Sequence, residues 1–333
     1  MTKRNCRSSL RALLLPMLFV VGCNDSQDTS NVATSDGEKL APVTLALNWL
    51  PDSQHGGFFA AQVHGFFAEQ RLDVTISPGG PNAPVAQKVA LNQAQFGVGN
   101  SDQLLMARQQ EMDVVAVFAA MQNSPRCIMV HSETGITRLA DLKDVTLAVG
   151  AGKAFVEFMK RSLPLDGVTT VPYTGSIAPF LNDQNFAQQA YVFSEPHVAK
   201  SRGANVHSMM VSELGFNPYS SCLFVNGKVL RNDPTLVKKM VAAVRKGWQQ
   251  YLADPYETNL AIQRANPEMN TESLQYGAEA IRQLCVPGDD VGSVGQMNDT
   301  RWQTIAKQLA ELGFLNDASQ YSAAFTTRFL SVD

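Results

Sequence analysis

Residues 43–120 repeat the order strand, loop, helix, and this alternation restricts the chain to the α/β class of folds. Residues 43–47 alternate in hydrophobicity as a half-buried strand does, and the pattern becomes helical after Gly57. Residues 114–120 are an unbroken apolar run, typical of a strand that is buried on both faces. Strands that are each followed by a helix form a largely parallel sheet with helices on both faces.

A second series of the same kind follows, and after it a helical region. Strands are predicted at residues 145–149, 168–171 and 190–193, with a helix at residues 154–162. From Pro234 onward the apolar residues recur at helical spacing. We therefore predict two α/β lobes and a helical C-terminal tail.

The N-terminus has the layout of a bacterial lipoprotein signal. Residues 1–22 place basic residues before a short apolar run, as in a secretory signal peptide. The run ends in Val-Val-Gly-Cys, which resembles a lipobox, so we expect a lipid on Cys23; the alternative is an ordinary signal peptide with an incidental cysteine. Residues 23–40 are polar and are predicted to be a flexible tether. The expected location is the periplasmic face of a bacterial membrane.

Composition and motifs exclude several classes of function. The net charge is −3 and basic residues form no block, so nothing favours binding to nucleic acid. The sequence has no Walker A, GxSxG, HExxH or GxGxxG motif. Its histidines and cysteines lack metal-ligand spacing, so neither a metal nor another cofactor is expected. We predict a binding protein rather than an enzyme and assign no catalytic residues.

Polar or aromatic residues follow several of the predicted strands. Ligands of open α/β sheets bind beyond the carboxyl ends of the strands, so we expect these residues to meet in one cleft. The candidates are Asn48, Trp49, Ser101, Gln122, Gly152, Tyr173 and Glu195.

Several short segments, in this order, resemble the NMT1/THI5-like family. They are Asn48-Trp49 with Pro51, His55-Gly56-Gly57-Phe58, Gly65-Phe66-Phe67, Leu72-Asp73-Val74, Gly97-Val98, Glu195-Pro196 and Gly215-Phe216-Asn217-Pro218-Tyr219. The resemblance covers roughly residues 43–315. This family includes substrate-binding lipoproteins of ABC importers for thiamine pyrimidine precursors, and it is related to alkylsulfonate- and taurine-binding proteins.

The resemblance implies a type II periplasmic-binding-protein fold, in which two α/β lobes are joined by two crossing strands. The first lobe would comprise residues 41–126 and 226–333, including the C-terminal helices. The second lobe would comprise residues 127–225, with a hinge strand at each end.

Hinge strands near residues 127–130 and 222–225 would place two cysteines at corresponding positions. Cys127 and Cys222 would then either form a disulfide or remain as two unpaired buried cysteines, and the sequence leaves both possibilities open.

The resemblance also implies a monomeric receptor that delivers a small, flat, polar heterocycle, such as a thiamine pyrimidine precursor, to an ABC permease in the inner membrane. Trp49 is expected to stack on the ring, and Glu195 to accept its N–H groups. Tyr173 and Tyr219 are expected to offer a second aromatic face or a hydroxyl, and Asn48, Ser101 and Gln122 to make neutral hydrogen bonds. Gly152 is expected to offer a backbone amide to an anionic group, and His55 to form part of the first-lobe wall.

Three other functions remain open at this point. Family members that synthesise the pyrimidine use a histidine like His55, a lysine shortly before it and a cysteine-rich iron motif; residues 50–54 contain no lysine and the cysteines do not cluster. A receptor for alkylsulfonate-type anions needs Arg or Lys, and Lys153 is the only cation near the predicted strand ends. The third is a surface lipoprotein that signals or scaffolds without transport.

Overall fold

The computed structural model describes residues 40–288 and 290–331, and its strands form two five-stranded sheets. The predicted signal peptide, Cys23 and all but the last residue of the predicted tether lie outside the described residues. In chain order the strands are β1 (Ala41–Ala46), β2 (Leu72–Ser77), β3 (Phe96–Gly99), β4 (Val114–Met121), β5 (Arg126–His131), β6 (Thr146–Val149), β7 (Thr169–Pro172), β8 (Phe186–Tyr191), β9 (Val206–Met210) and β10 (Ser220–Asn226).

Each sheet has four strands in one direction and one strand against them. The first sheet has the order β2-β1-β3-β10-β4, and the second has the order β7-β6-β8-β5-β9. The antiparallel member is β10 in the first sheet and β5 in the second. The predicted α/β class with two sheets is confirmed, and the amino end of each antiparallel strand lies at the edge where its neighbours have carboxyl ends.

The chain passes between the two sheets in two segments, and each segment precedes a strand that was predicted to be a hinge strand between the lobes. Residues 122–125 join β4 to β5, and residues 211–219 join β9 to β10. β10 lies between β3 and β4, so residues 222–225 belong to the first sheet and not to the second lobe. Asn217 ties the two connections together: its Oδ1 accepts from the Ser124 amide at 2.8 Å, and its Nδ2 donates to Asn123 Oδ1 at 3.0 Å.

The cysteines are free, so the disulfide alternative is wrong. Cys127 is in register with Ala190 and Met210 in the second sheet. Cys222 is in register with Gly99 and Ala119 in the first sheet. Both cysteines are buried and unpaired, as is Cys285.

Helices cover the sheets, and most of the C-terminal part of the chain is helical. They are α1 (Gly56–Val63), α2 (Phe66–Glu69), α3 (Val85–Ala90), α4 (Ser101–Gln109), α5 (Ala154–Ser162), α6 (Ala178–Asn182), α7 (Glu195–Ser201), α8 (Gly227–Asn232), α9 (Pro234–Ala253), α10 (Tyr256–Ala265), α11 (Thr271–Cys285) and α12 (Asp299–Glu311). None of the helices in residues 40–288 and 290–331 combines the length and apolar character needed to cross a membrane.

The long helix α9 fixes the position of α1. It buries an apolar face that includes Trp248 and Tyr251, and the Trp248 ring packs edge-on against Phe58 of α1, with centroids 5.7 Å apart. Gly247 of α9 allows the two backbones to approach closely, and Gly57 of α1 leaves room for the Trp248 ring. The start of α1, directly after the candidate residue His55, is therefore held by the core of the first lobe.

Candidate functional site

Two groups of polar side chains, one from each lobe, face each other between the sheets. The first lobe contributes the loop after β1 and the start of α4, and the second contributes the start of β5, the end of β8 and the start of α7. Asn100 and Tyr191 meet across this cleft, with Asn100 Nδ2 3.4 Å from the Tyr191 hydroxyl. The predicted convergence of strand ends from two lobes is therefore present.

The loop after β1 forms one wall of the cleft. Asp52 accepts from the Gln54 amide at 3.0 Å and thereby caps a 3₁₀ turn, Ser53–His55, that leads into α1. His55 Nε2 lies 3.0 Å from Asn48 Oδ1, and His55 is fully buried. Burial lowers the pKa of His55 to about 3, so the ring is neutral at physiological pH. Trp49 is 38 % exposed, which leaves its ring available for stacking.

The start of α4 brings buried polar atoms without partners to the same cleft. Asn100 caps the helix through a reciprocal capping box with Gln103. Ser101 is only 1 % exposed, yet its Oγ has no hydrogen-bond partner within the described part of the chain, and the same holds for Asp102 Oδ1. Burial raises the pKa of Asp102, and the charge of Arg126 acts in the opposite direction. A ligand group is a natural partner for such atoms, because buried polar atoms without partners are costly.

Arg126 is the main site residue that the sequence analysis missed. Its guanidinium carbon lies 4.3 Å from the ring centroid of Phe155 and 5.0 Å from that of Tyr191, and its Nη2 donates to the Tyr191 hydroxyl at 3.2 Å. The expectation that Lys153 is the only cation near the strand ends is therefore wrong. Arg126 begins the antiparallel strand β5, so it lies at the edge where the neighbouring strands β8 and β9 have their carboxyl ends, and a rule based on carboxyl ends alone does not find it.

Glu195 lies in the second lobe, where its carboxylate joins two neighbouring segments. Its Oε1 accepts from the Tyr173 hydroxyl at 2.6 Å, and its Oε2 accepts from the Tyr191 amide at 2.9 Å. Burial raises the pKa of Tyr173, and the neighbouring Glu195 charge raises it further. The structure thus brings Tyr173 and Glu195 together, with the carboxylate positioning both tyrosines.

Three of the proposed ligand residues have other surroundings. Gln122 Nε2 donates to the carbonyls of Ala119 and Gln296, both at 3.0 Å, and so braces the connection between the lobes. Tyr219 is 1 % exposed, and its hydroxyl accepts from the Asn298 amide at 3.1 Å. Gly152 is exposed with a φ of +68°, which fits a left-handed turn before α5. Gln122 and Tyr219 therefore have structural roles.

Two cavities of very different volume lie next to these residues. At the Arg126 end a cavity of ≈ 10 Å³ is lined by Asn100, Asp102, Ser124, Phe155 and residues of the second connection. That is room for about one water molecule. A second cavity, of ≈ 320 Å³, lies between Asp52-Ser53 of the first lobe, Phe193-Ser194 of the second, and residues 268–273. No cluster of potential metal ligands occurs in the part of the chain that the structure describes.

Comparison with protein families and curated proteins gives consistent matches. A model described as NMT1/THI5 like matches residues 52–258. The riboflavin-binding protein RibY of Chloroflexus aurantiacus is 22 % identical over 95 % of this chain and 96 % of its own. The formylaminopyrimidine-binding protein of Halalkalibacterium halodurans is 31 % identical over 41 % of this chain and 39 % of its own. A 4-amino-5-hydroxymethyl-2-methylpyrimidine phosphate synthase of Legionella pneumophila is 22 % identical over 86 % of this chain and 92 % of its own.

Solved structures share the fold. The alkanesulfonate-binding protein SsuA from Xanthomonas axonopodis pv. citri, bound to MOPS, superposes with a TM-score of 0.64 at 14 % identity. The superposition covers 87 % of this chain and 99 % of that one. The fold is thus that of periplasmic binding proteins, as the sequence analysis predicted.

Proposed function

The chain belongs to the NMT1/THI5-like family, and we propose that it is the solute-binding protein of an ABC importer, which captures a small polar heterocycle between its lobes. The observation that carries this proposal is that the two lobes present groups of different chemistry, an acceptor from the first lobe and a cation from the second. Asp102, whose buried Oδ1 has no hydrogen-bond partner among the described residues, lines the same small cavity as Arg126, a cation held between two aromatic rings. A flat molecule with both donors and acceptors matches these walls.

The ligand class follows from the chemistry of the walls together with the relatives. Two relatives are named for binding riboflavin and a formylaminopyrimidine, and both of these are nitrogen heterocycles. In this chain Trp49 offers an exposed face for stacking, Arg126 offers donors, and Asp102 offers an acceptor. A thiamine pyrimidine precursor is therefore one proposed ligand, and a flavin is the other.

Glu195 keeps a place in this proposal with a narrower role. Each carboxylate oxygen already accepts one hydrogen bond from the second lobe. A carboxylate has about four lone-pair sites, so two sites remain for the ligand. We propose that Glu195 mainly fixes Tyr173 and Tyr191 and accepts from the ligand as a second function.

A sulfonate receptor is the second candidate function, and the position of Arg126 in the cleft favours it. A guanidinium in the cleft suits a sulfonate as well as it suits a ring acceptor. Against it, the Glu195 carboxylate accepts from the Tyr191 amide while Arg126 donates to the Tyr191 hydroxyl, so a negative charge lies close to the guanidinium and repels an anion. We therefore rank the heterocycle above the sulfonate.

We also propose that the protein does not act as a pyrimidine synthase, although several relatives, including the Legionella pneumophila protein, carry that name. His55 is buried and hydrogen-bonded to Asn48, and no lysine precedes it in residues 50–54. The two activities separate in one assay, because a binding protein takes up a ligand without consuming it. Formation of a pyrimidine product by the purified protein would contradict this proposal.

Replacing Trp49 with alanine should weaken ligand binding at least tenfold, because the ring face is lost from an otherwise preserved cleft. The measurement is calorimetric titration with riboflavin and with the formylaminopyrimidine, with MOPS as the sulfonate arm. Tyr256→Ala removes another exposed aromatic, 63 % accessible at the start of α10, and serves as the control with unchanged affinity. Equal affinity of Trp49→Ala and the wild type, or binding of MOPS alone, rejects the heterocycle site.

We further propose that the protein is exported and anchored through a lipid on Cys23, as the lipobox-like segment before it suggests. Cys23→Ser should then move the protein from the membrane fraction to the soluble periplasmic fraction, with Cys6→Ser as a control that changes nothing. Fractionation followed by immunoblotting measures this. Retention of Cys23→Ser in the membrane fraction would reject the anchor.

A further inference from the structure

The larger of the two cavities has room for an organic group, whereas the smaller has room for about one water molecule. Its volume of ≈ 320 Å³ lies at the lower end of the range for small-molecule pockets, about 300–1,000 Å³. It is lined by the loop after β1 in the first lobe, by α7 and the residues on either side of it in the second, and by the start of α11. A group in this cavity would therefore contact both lobes.

Hydroxyl groups dominate the lining of the larger cavity. Serine is its commonest residue, at Ser53, Ser194, Ser201 and Ser273, and three lining residues are apolar. A serine hydroxyl both donates and accepts hydrogen bonds. The lining therefore suits a group that can do the same.

The lining residues differ in exposure, and this gives the cavity an inner end and a rim. Ser53 is 2 % exposed and Phe193 4 %, and the Asp52 side chain is 13 % exposed. Arg202 and Glu268 are exposed to solvent. A chain-like group that enters at the inner end would thus reach solvent at the rim.

The inner end still has acceptor sites for a ligand. Asp52 Oδ1 accepts from the Gln54 amide and Oδ2 from the Gln54 side chain, each at 3.0 Å. A carboxylate has about four lone-pair sites, so about two remain. The Ser53 hydroxyl donates to the Leu274 carbonyl at 3.2 Å, which leaves its oxygen free to accept. At the rim, Glu268 adds an acceptor and Arg202 adds donors.

The charges around the cavity disfavour an ionic group. The carboxylates of Asp52 and Glu268 repel an anion, and the Arg202 guanidinium repels a cation. Burial raises the pKa of Asp52 to about 7, so its side chain is neutral in a fraction of the molecules near neutral pH, and its attraction for a cation is reduced. The start of α11 is already capped, because Asn270 Oδ1 accepts from the Ser273 amide at 2.7 Å. A neutral group fits these surroundings best.

A pair of aromatic rings connects the larger cavity to the surroundings of Arg126. Arg126 Nη2 donates to the Tyr191 hydroxyl at 3.2 Å, and the Tyr191 ring lies 5.3 Å from the Phe193 ring, centroid to centroid. Phe193 lines the larger cavity. A heterocycle near Arg126 and a chain in the larger cavity would therefore occupy neighbouring parts of one site.

We propose that the larger cavity binds a neutral chain with several hydroxyl groups, and that the ligand is accordingly a heterocycle that carries a polyol rather than a bare pyrimidine. Hydroxyls of the chain would donate to Asp52 and Glu268 and accept from Arg202, and the serines could do either. Riboflavin carries a ribityl chain of this kind, whereas the formylaminopyrimidine has no polyol. This inference rests on the proposed function, which places the ring between the lobes.

A pair of flavins tests the inference, because they differ only in the chain. Lumiflavin has the ring of riboflavin with a methyl group in place of the ribityl chain. Calorimetric titration of the wild type should show riboflavin binding at least tenfold more tightly than lumiflavin, since the lining groups lose their partners when the chain is absent. Equal affinities, or tighter binding of lumiflavin, would overturn the inference.

Two variants that fill the cavity locate the chain. Ser273→Leu on α11 and Ser201→Leu at an exposed position of α7 should each weaken riboflavin binding at least tenfold and leave lumiflavin binding unchanged. Ser162→Leu makes the same change at the exposed end of α5, away from the lining, and should alter neither affinity. Unchanged riboflavin affinity in both filling variants, or an equal loss of both flavins in both, would overturn the inference.

The formylaminopyrimidine separates a failure of this inference from a failure of the proposed function. Binding of the formylaminopyrimidine without binding of either flavin would overturn the polyol chain and leave the heterocycle receptor intact. Binding of MOPS alone, or of none of these compounds, would count against the proposed function and against this inference with it.

Discussion

Replacing Gly247 with alanine is expected to destabilise the folded protein by about 2 kcal/mol or more. A Cβ atom at this position of α9 would lie 2.1 Å from the carbonyl oxygen of Gly57 and 2.8 Å from the Ala61 amide nitrogen. These are backbone atoms, so no side-chain rotation relieves the contact and the two helices must separate. Overpacking of this kind costs about 1–3 kcal/mol or more. That outweighs the gain of up to ~1 kcal/mol that alanine brings over glycine in a helix.

Urea unfolding monitored by circular dichroism measures the effect of this substitution. Gly80→Ala is the matched control, because a Cβ at Gly80 meets nothing within 4 Å and its backbone has no left-handed φ. Displacement of α1 would also disturb His55 at its start, so ligand affinity should fall together with stability. An unfolding midpoint equal to that of the wild type would show that α1 and α9 are not packed as described.

Single substitutions at Asp52 and His55 are expected to give opposite slopes of stability against pH. Asp52 has a pKa of about 7 in the folded protein against an unfolded value of about 3.9, so its contribution to stability is lost as pH rises from about 4 to 7. His55 has a folded pKa of about 3 against an unfolded value of about 6.5, so its contribution grows as pH rises from about 3 to 6.5. In the wild type these two effects offset each other between about pH 4 and 6.5.

Each variant removes one of the two opposing effects. Asp52→Asn should become more stable from pH 4 to 6.5 and His55→Gln less stable, each by about 1 kcal/mol per pH unit relative to the wild type. Asn can still cap the 3₁₀ turn, so Asp52→Asn is expected to fold. Urea unfolding at four pH values within this range measures the slopes. Parallel profiles for the two variants and the wild type would refute the buried neutral pair.

The fold followed from the alternation of apolar runs, but not every strand was placed correctly. The helix predicted at residues 154–162 matches α5. The strand predicted at residues 190–193 exists but has the wrong bounds, since β8 is Phe186–Tyr191 and only residues 190 and 191 are shared. Its centre carries Gln188, which is fully buried, and Gln189, and two adjacent polar residues interrupt the apolar pattern on which the prediction depends. Polar residues inside a core strand cannot be distinguished locally from a loop.

Candidate residues that follow a strand or begin a helix could be predicted from the local sequence. A residue whose position depends on the direction of its strand could not. Ser101 and Glu195 begin α4 and α7, and Tyr173 follows β7, where its hydroxyl donates to Glu195 at 2.6 Å; that these residues and Asn48 bind the ligand stays a prediction. Arg126 was missed because the direction of β5 is decided by pairing with β8 and β9, which no local pattern reveals. Tyr219 was assigned to the ligand because packing by Trp302 and Arg301 of α12 comes from a distant part of the chain.

The most direct test of the account is mass spectrometry of the small molecule that co-purifies with the protein from its native host. Native spectra should show one heterocyclic compound per chain, released on denaturation and depleted in preparations of Trp49→Ala made in the same way. That compound should carry both hydrogen-bond donors and acceptors, to match Asp102 and Arg126. A stoichiometric alkylsulfonate in its place would contradict the account.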